Sequence, residues 1–173
     1  MRTLTIRSVL VLSALATCAA LTYFLITHER AAGLVTAETV KASSIEVEDP
    51  WSPGDLMQPK ELAALLATKT KPVMFQVGII HLYKMGHIPG SKYAGPASAA
   101  EGLDALKKQA QGLSRNSQIV CYCGCCPWGD CPNTRPAYQT LHEMGFKKIK
   151  MLYLPNSFGQ DWSSKSYPVE KSS

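Results

Sequence analysis

Three short runs constrain the fold more than any other feature. They are Val73-Met74-Phe75-Gln76-Val77, Gln118-Ile119-Val120-Cys121-Tyr122-Cys123, and residues 148–154. The first is apolar except at Gln76, the pattern of a strand covered on both faces. Helical patterns alternate with these runs. Pro59-Lys60-Glu61-Leu62 opens one, with Pro at a first helical position and Glu two residues later, and Lys71-Pro72 ends it. An amphipathic helix is expected over residues 97–111, stopped by Gly112, and another over residues 134–144, where Gly145 suits a left-handed C-cap. Residues 81–85 allow one helical turn, Gly86-His87-Ile88-Pro89-Gly90 is a turn, and residues 158–165 form a short helix. This alternation predicts an α/β domain: a parallel sheet flanked by helices. In such sheets the reactive groups gather at the carboxyl ends of the strands.

Cys123 stands at such an end. Residues 121–138 read CYCGCCPWGDCPNTRPAY and contain five of the six cysteines in the chain. A strand that runs through a loop into a helix N-terminus brings backbone N–H groups together, so a thiolate or another anion is stabilised there. Cys123 is the leading candidate nucleophile. Cys131, three residues before Thr134, is its rival because it too feels the helix dipole, worth ~0.3–1 kcal/mol. Arg135 in the first helical turn opposes that dipole, which points to an anion beside it: the thiolate, an oxyanion substrate, or an ordinary salt-bridge partner. Gly124, Cys126, Trp128 and Thr134 complete the expected substrate pocket, with Trp128 read as a lid or as a surface turn residue. Cys126 and Cys131 are candidates for discharging a sulfur held on Cys123. Cys121 lies inside the strand and is read as packing.

Other uses of these thiols stay open at this level. In an oxidising compartment short-range bridges such as Cys123–Cys126 or Cys126–Cys131 compete, although five cysteines cannot all pair. Cys123, Cys125, Cys126 and Cys131 could also present thiolates to Zn, Cu(I) or an iron–sulfur cluster. Their spacing matches neither paired CxxC knuckles nor ferredoxin runs.

Charge narrows the partners. The net charge of +5 falls to +3 once residues 1–37, with three Arg and one Glu, are set aside, leaving 15 basic against 12 acidic residues. The excess is scattered and unaccompanied by interleaved aromatics, which argues against nucleic-acid binding. Arg2 and Arg7 precede 19 uncharged residues, 8–26, close to the ~20 needed to cross a bilayer. The expectation is a membrane anchor or secretory signal within residues 1–37, holding the rest of the chain on the extracytoplasmic (periplasmic) side. Residues 38–54 are expected to be a linker and residues 55–171 the folded domain.

The domain resembles a single rhodanese-like module. Gly86-His87-Ile88-Pro89-Gly90-Ser91 is similar to the family's GHIPGA. The likeness extends to the apolar strand before a cysteine loop, the Arg135 to Ala137 helix start, Met144-Gly145-Phe146, and the ending Trp162…Tyr167-Pro168-Val169-Glu170. It covers about Leu56 to Glu170. The resemblance implies sulfane-sulfur transfer through a persulfide on Cys123, with a small sulfur donor and a thiol acceptor as partners, and with backbone amides of residues 124–134 and Arg135 as the anion cradle. Two departures stand out. Eleven residues separate Cys123 from Arg135, so the loop is enlarged. Gln76-Val77-Gly78 and Leu154-Pro155-Asn156-Ser157 replace the family's Asp-x-Arg and Leu-x-Gly-Gly, which leaves a non-catalytic interaction domain as a further alternative.

Overall fold

The computed structural model describes residues 48–172. Five strands form one wholly parallel sheet: β1 (Leu56–Met57), β2 (Val73–Gln76), β3 (Lys92–Tyr93), β4 (Gln118–Tyr122) and β5 (Lys148–Leu152), in the order β1-β5-β4-β2-β3. The helices are α1 (Pro59–Leu66), α2 (Ile80–Met85), α3 (Ala100–Ala110), α4 (Thr134–Glu143) and α5 (Phe158–Asp161). The α/β parallel sheet expected from the sequence is present. The N-terminal membrane or signal helix expected at residues 8–26 lies outside the described residues. Among the described residues no helix is long and apolar enough to cross a membrane.

Alternation along the central strands divides the interior into two cores. Phe75 of β2 and Val77 just after it, Ile119 and Cys121 of β4 and Cys123 just after it, and Ile149 and Met151 of β5 enter one core with Leu106 of α3 and Leu141 of α4. Met74, Val120, Tyr122 and Leu152 enter the other, with Leu62 of α1 and Trp162. A period of two with both sets apolar is what a doubly covered sheet requires. Cys123 therefore shares its face with α4, the helix the cysteine loop leads into.

Two strands escaped the sequence reading, β1 and β3, each of two residues and too short to show a period. The expected helix over residues 97–111 begins only at Ala100. Within the expected linker of residues 38–54, Trp51 packs onto the domain. Trp51 is 8% exposed and sits 5.3 Å from Trp128 and 5.7 Å from Tyr138 between ring centroids. An aromatic anchor of this size holds the segment down by burial.

The GHIPGS turn clamps the end of β4. The Ile88 N–H donates to the Tyr122 hydroxyl at 3.0 Å, and Ser91 Oγ lies 2.8 Å from the same oxygen. His87 is tied into the turn through both its ring and its backbone. Its Nδ1 meets the Tyr83 carbonyl at 2.8 Å, and its backbone exchanges two hydrogen bonds with Glu170. Fixing Tyr122 fixes the residue after it, Cys123.

Candidate active site

The chain leaves β4 through Gly124, whose φ of +70° only glycine adopts without strain. A Cβ here would also lie 2.6 Å from Phe158 Cβ and 2.9 Å from the Phe158 nitrogen, which donates to the Gly124 carbonyl at 3.0 Å. This tight corner turns Cys125 back over Cys123. The two sulfurs are 3.0 Å apart, and Cys126 Sγ follows at 3.1 Å from Cys125 Sγ. A 3-10 turn, Trp128–Asp130, then brings Cys131 back, so that the sulfurs of Cys123, Cys125 and Cys131 lie within 4.8 Å of one another. All five thiols of the loop and strand are unbridged.

Asn133 links this cluster to the fold. It occupies the N-cap position of α4, yet its side chain caps nothing. Its Oδ1 accepts from the Ser98 N–H at 2.9 Å, which fixes the amide orientation and directs Nδ2 to Cys123 Sγ at 3.4 Å and Cys125 Sγ at 3.8 Å. Forgoing a side-chain cap costs a helix about 1 kcal/mol. The free amides of α4 face the cluster instead: the N–H groups of Asn133 and Thr134 favour a Cys131 thiolate, and the Thr134 hydroxyl donates to the Cys131 carbonyl at 3.5 Å.

These donors set the acidities. The Cys123 thiol beside it, together with those amides, lowers Cys131 to about 5 despite burial. Cys125 is lowered to about 6, chiefly by the same Cys123 thiol. Cys123 is raised, chiefly because its thiol donates to Cys125 at 3.0 Å and stands beside the Cys131 sulfur, and because it is buried. One proton cannot be given to two sulfurs at once, so the three titrate together, with the charge held chiefly on Cys131, where the helix amides add to it. Burial and the neighbouring Cys125 push Cys126 up to about 12, and burial raises Cys121 inside the strand.

Two expected site residues face elsewhere. The Arg135 guanidinium pairs with Asp49 at 2.7 Å and stands 5.9 Å from the Trp51 ring, so the anion it was expected to meet is a carboxylate of the packed segment. Trp128 does not cover the cavity. It packs on Trp51 and on Tyr153, at 5.2 Å between ring centroids for the latter, with its backbone N–H donating to the Pro155 carbonyl, because the 3-10 turn swings it toward the end of β5. Thr134 is buried behind Cys131, and Cys126 reaches Cys123 only by way of Cys125. Gly124 lines the cavity.

Three contributors were missed: Asn133, Cys125 as the nearest thiol, and Gly78. The last stands where the resemblance puts an Arg. A Cβ there would lie 2.8 Å from Cys123 Sγ and 3.0 Å from Gln76 Nε2, so the missing side chain leaves room for the sulfur. Asn before a helix start was a readable signal, although it suggested a cap.

The sulfurs border a cavity of about 470 Å³ between α2, the loop after β5 and the C-terminal segment. Cys123, Gly124 and Cys125 form part of its wall, whereas Cys131 stays behind them.

The rhodanese-like domain family model matches residues 57–155, and the chain belongs to that family. Its fold is similar to the crystal structure of the Alr3790 protein from Anabaena sp., at 20% identity and a TM-score of 0.52, covering 67% of this chain and 82% of that one. It is also similar to the BH2092 protein from Bacillus halodurans, at 19% identity and a TM-score of 0.53, covering 67% and 76%. At these identities the likeness concerns the fold. No curated protein matches the sequence.

Replacing Asn133 by Asp keeps an acceptor for Ser98 and suits a helix N-cap, but sets a carboxylate against the sulfurs. The thiolates should then form less readily, with alkylation at pH 6 slowed roughly tenfold, one pKa unit being 1.36 kcal/mol. Iodoacetamide kinetics against pH, with circular dichroism to verify the fold, measure this. A rate profile identical to that of the wild type would show that Asn133 does not tune the cluster.

Proposed function

We propose that the domain carries out thiol-dependent transfer of sulfane sulfur through a persulfide on Cys123. The family includes sulfurtransferases, which supports this class of chemistry at a coarse level. The observation that carries the finer reading is the placement of Cys123 Sγ between a cavity and two acidified thiols. Cys131 is the base. It accepts the Cys123 proton as the Cys123 sulfur attacks the outer sulfur of a donor; the S–S bond of the donor breaks and its remainder leaves with the electron pair. The persulfide anion is held by the Cys125 backbone N–H and by Asn133 Nδ2. The cradle is thus made of amides, and Arg135 is not part of it. Cys125, 3.0 Å away, is placed to attack the inner sulfur, forming a Cys123–Cys125 disulfide and releasing hydrosulfide. Mixing the reduced domain with a polysulfide and a thiol acceptor, and following the acceptor persulfide, tests the reading; transfer no faster than the uncatalysed mixture overturns it.

A second reading is favoured by the same convergence. Three sulfurs within 4.8 Å of one another approach the ~4 Å separation set by Zn–S bonds of about 2.3 Å, so Zn or Cu(I) could be held by Cys123, Cys125 and Cys131. Cys126 would be the fourth sulfur. Stoichiometric metal in protein purified without added chelator, together with no sulfur transfer, favours that reading. An iron–sulfur cluster has no observation behind it beyond the thiols themselves.

We propose further that residues 8–26 anchor the chain and place the domain on the extracytoplasmic side of a membrane, a reading supported by the uncharged run behind Arg2 and Arg7. An alkaline phosphatase fusion after residue 54 is expected to be active and to sediment with membranes. An inactive fusion accumulating in the cytoplasm contradicts it.

A further inference from the structure

We infer that the cavity over Cys123 takes an organic thiol and its persulfide, R–SH and R–S–SH with an apolar R, in preference to inorganic sulfur oxyanions. The inference rests on the sulfur-transfer reading for its chemistry and on the cavity alone for its specificity. Leu82, Met85, Phe158 and Val169 supply apolar wall, and Lys171 is the one charged residue among those lining it. The lost Asp-x-Arg leaves Gly78 and Gln76 in place of charge, and Arg135 is held by Asp49.

Volume argues the same way. A five-atom oxyanion such as thiosulfate occupies on the order of 150 Å³ if each heavy atom is given the ~30 Å³ of a water molecule. The cavity of about 470 Å³ is better matched to a ligand with an extended body. Its polar groups suit a neutral molecule. Gln76 is 2% exposed, donates through Nε2 to the Cys123 carbonyl at 3.4 Å, and leaves Oε1 without a partner. The amide is uncharged and its donor is taken by the Cys123 carbonyl, so it offers a dianion no positive partner.

The apolar character continues to the rim. Among the described residues the exposed large hydrophobic ones are Ile79, Ile80, Met85 and Val169, at 45%, 45%, 57% and 40% exposure. Three belong to α2 or the residue before it. Val169 faces them across Gly86, whose Cβ position lies 3.0 Å from Val169 Cγ1. Met85 and Val169 line the cavity and are also exposed, which fits a ligand whose body is only partly swallowed.

The reaction is balanced without a further reagent: Cys123–S⁻ + R–S–SH → Cys123–S–S⁻ + R–SH. The outer sulfur moves with its bond to Cys123, the donor's S–S bond breaks, and the proton ends on the released thiol. In reverse the same step discharges the protein.

Persulfidated protein should be discharged by phenylmethanethiol at least tenfold faster than by 2-mercaptoethanol, a thiol of similar acidity, and faster than by sulfite. Met85→Lys and Val169→Lys, at exposed positions where a charge leaves the fold intact, should each reduce that preference at least threefold. Equal discharge by the two thiols, or a preference indifferent to both lysines, overturns the inference. A binding measurement separates the cavity from the chemistry. Benzyl methyl sulfide, which cannot react, should shift NMR signals of the Cys123→Ser protein around α2 and Phe158, and the lysine variants should weaken it. Binding without any transfer upholds the cavity assignment and sinks the sulfur-transfer reading; no binding sinks the cavity assignment.

Discussion

Cys123→Ser should leave a folded domain that no longer transfers sulfur, with a rate reduced by on the order of 10³-fold or more, as expected when a nucleophile is removed. Fold loss is not the cause. The side chain is 3% exposed, serine is nearly isosteric, and Asn133 Nδ2 lies 3.4 Å from the sulfur position to satisfy the hydroxyl. The stability cost is therefore about 1 kcal/mol. Cys131→Ser should behave differently. It removes the thiolate lowered to about 5 that serves as base, so roughly 10²-fold is lost at neutral pH, and part of it returns as the pH rises enough to ionise Cys123 directly. The direction follows from the charge: the reactive form is deprotonated, so wild-type transfer should hold down to about pH 5–6 and fall below it. Single-turnover rates against pH for both variants measure this. Identical losses with identical pH profiles would remove the distinction between nucleophile and base.

Gly102→Ala should unfold the domain more readily than any change at the site. The residue is fully buried inside α3, and an added Cβ would lie 1.9 Å from the Pro96 carbonyl oxygen and 2.4 Å from its carbon. Backbone cannot swing away as the end of a long side chain does, so α3 must shift bodily. Overpacking of this kind costs about 3 kcal/mol, or a Tm lower by roughly 10 °C or more for a domain of this size. The consequence reaches the cysteines. The loop that α3 would push carries Ala97, whose N–H donates to the Val77 carbonyl at 3.0 Å, and Ser98, whose N–H holds Asn133. Urea unfolding should show a lower midpoint with the same slope, and thiol alkylation in the remaining native protein should slow. An unchanged midpoint would mean that α3 rides less tightly on Pro96 than its geometry shows.

The central strands were legible because their residues alternate between two apolar cores, Ile119 and Cys121 toward one, Val120 and Tyr122 toward the other. The edges were not, since Leu56–Met57 and Lys92–Tyr93 are defined by neighbours and carry no period of their own. At the site, sequence placed Cys123 at a strand end beside a helix start. It could not show that Asp49 answers the Arg135 charge, because that pairing depends on residues 49–54 folding back through Trp51. It also passed over Asn133. An Asn before a helix signals a cap, but here tertiary structure claims its side chain for Ser98 and the sulfurs, and the amides it leaves free acidify Cys131. Local rules broken in this way are a mark of functional positions.

The most direct test of sulfur handling at Cys123 is peptide-level mass mapping after a brief anaerobic exposure of the reduced domain to a polysulfide, with persulfides trapped by alkylation. One added sulfur on Cys123, absent in Cys123→Ser and preserved in Cys126→Ser, is the predicted result. An unmodified Cys123, or sulfur residing on Cys126 or Cys131 instead, would contradict it.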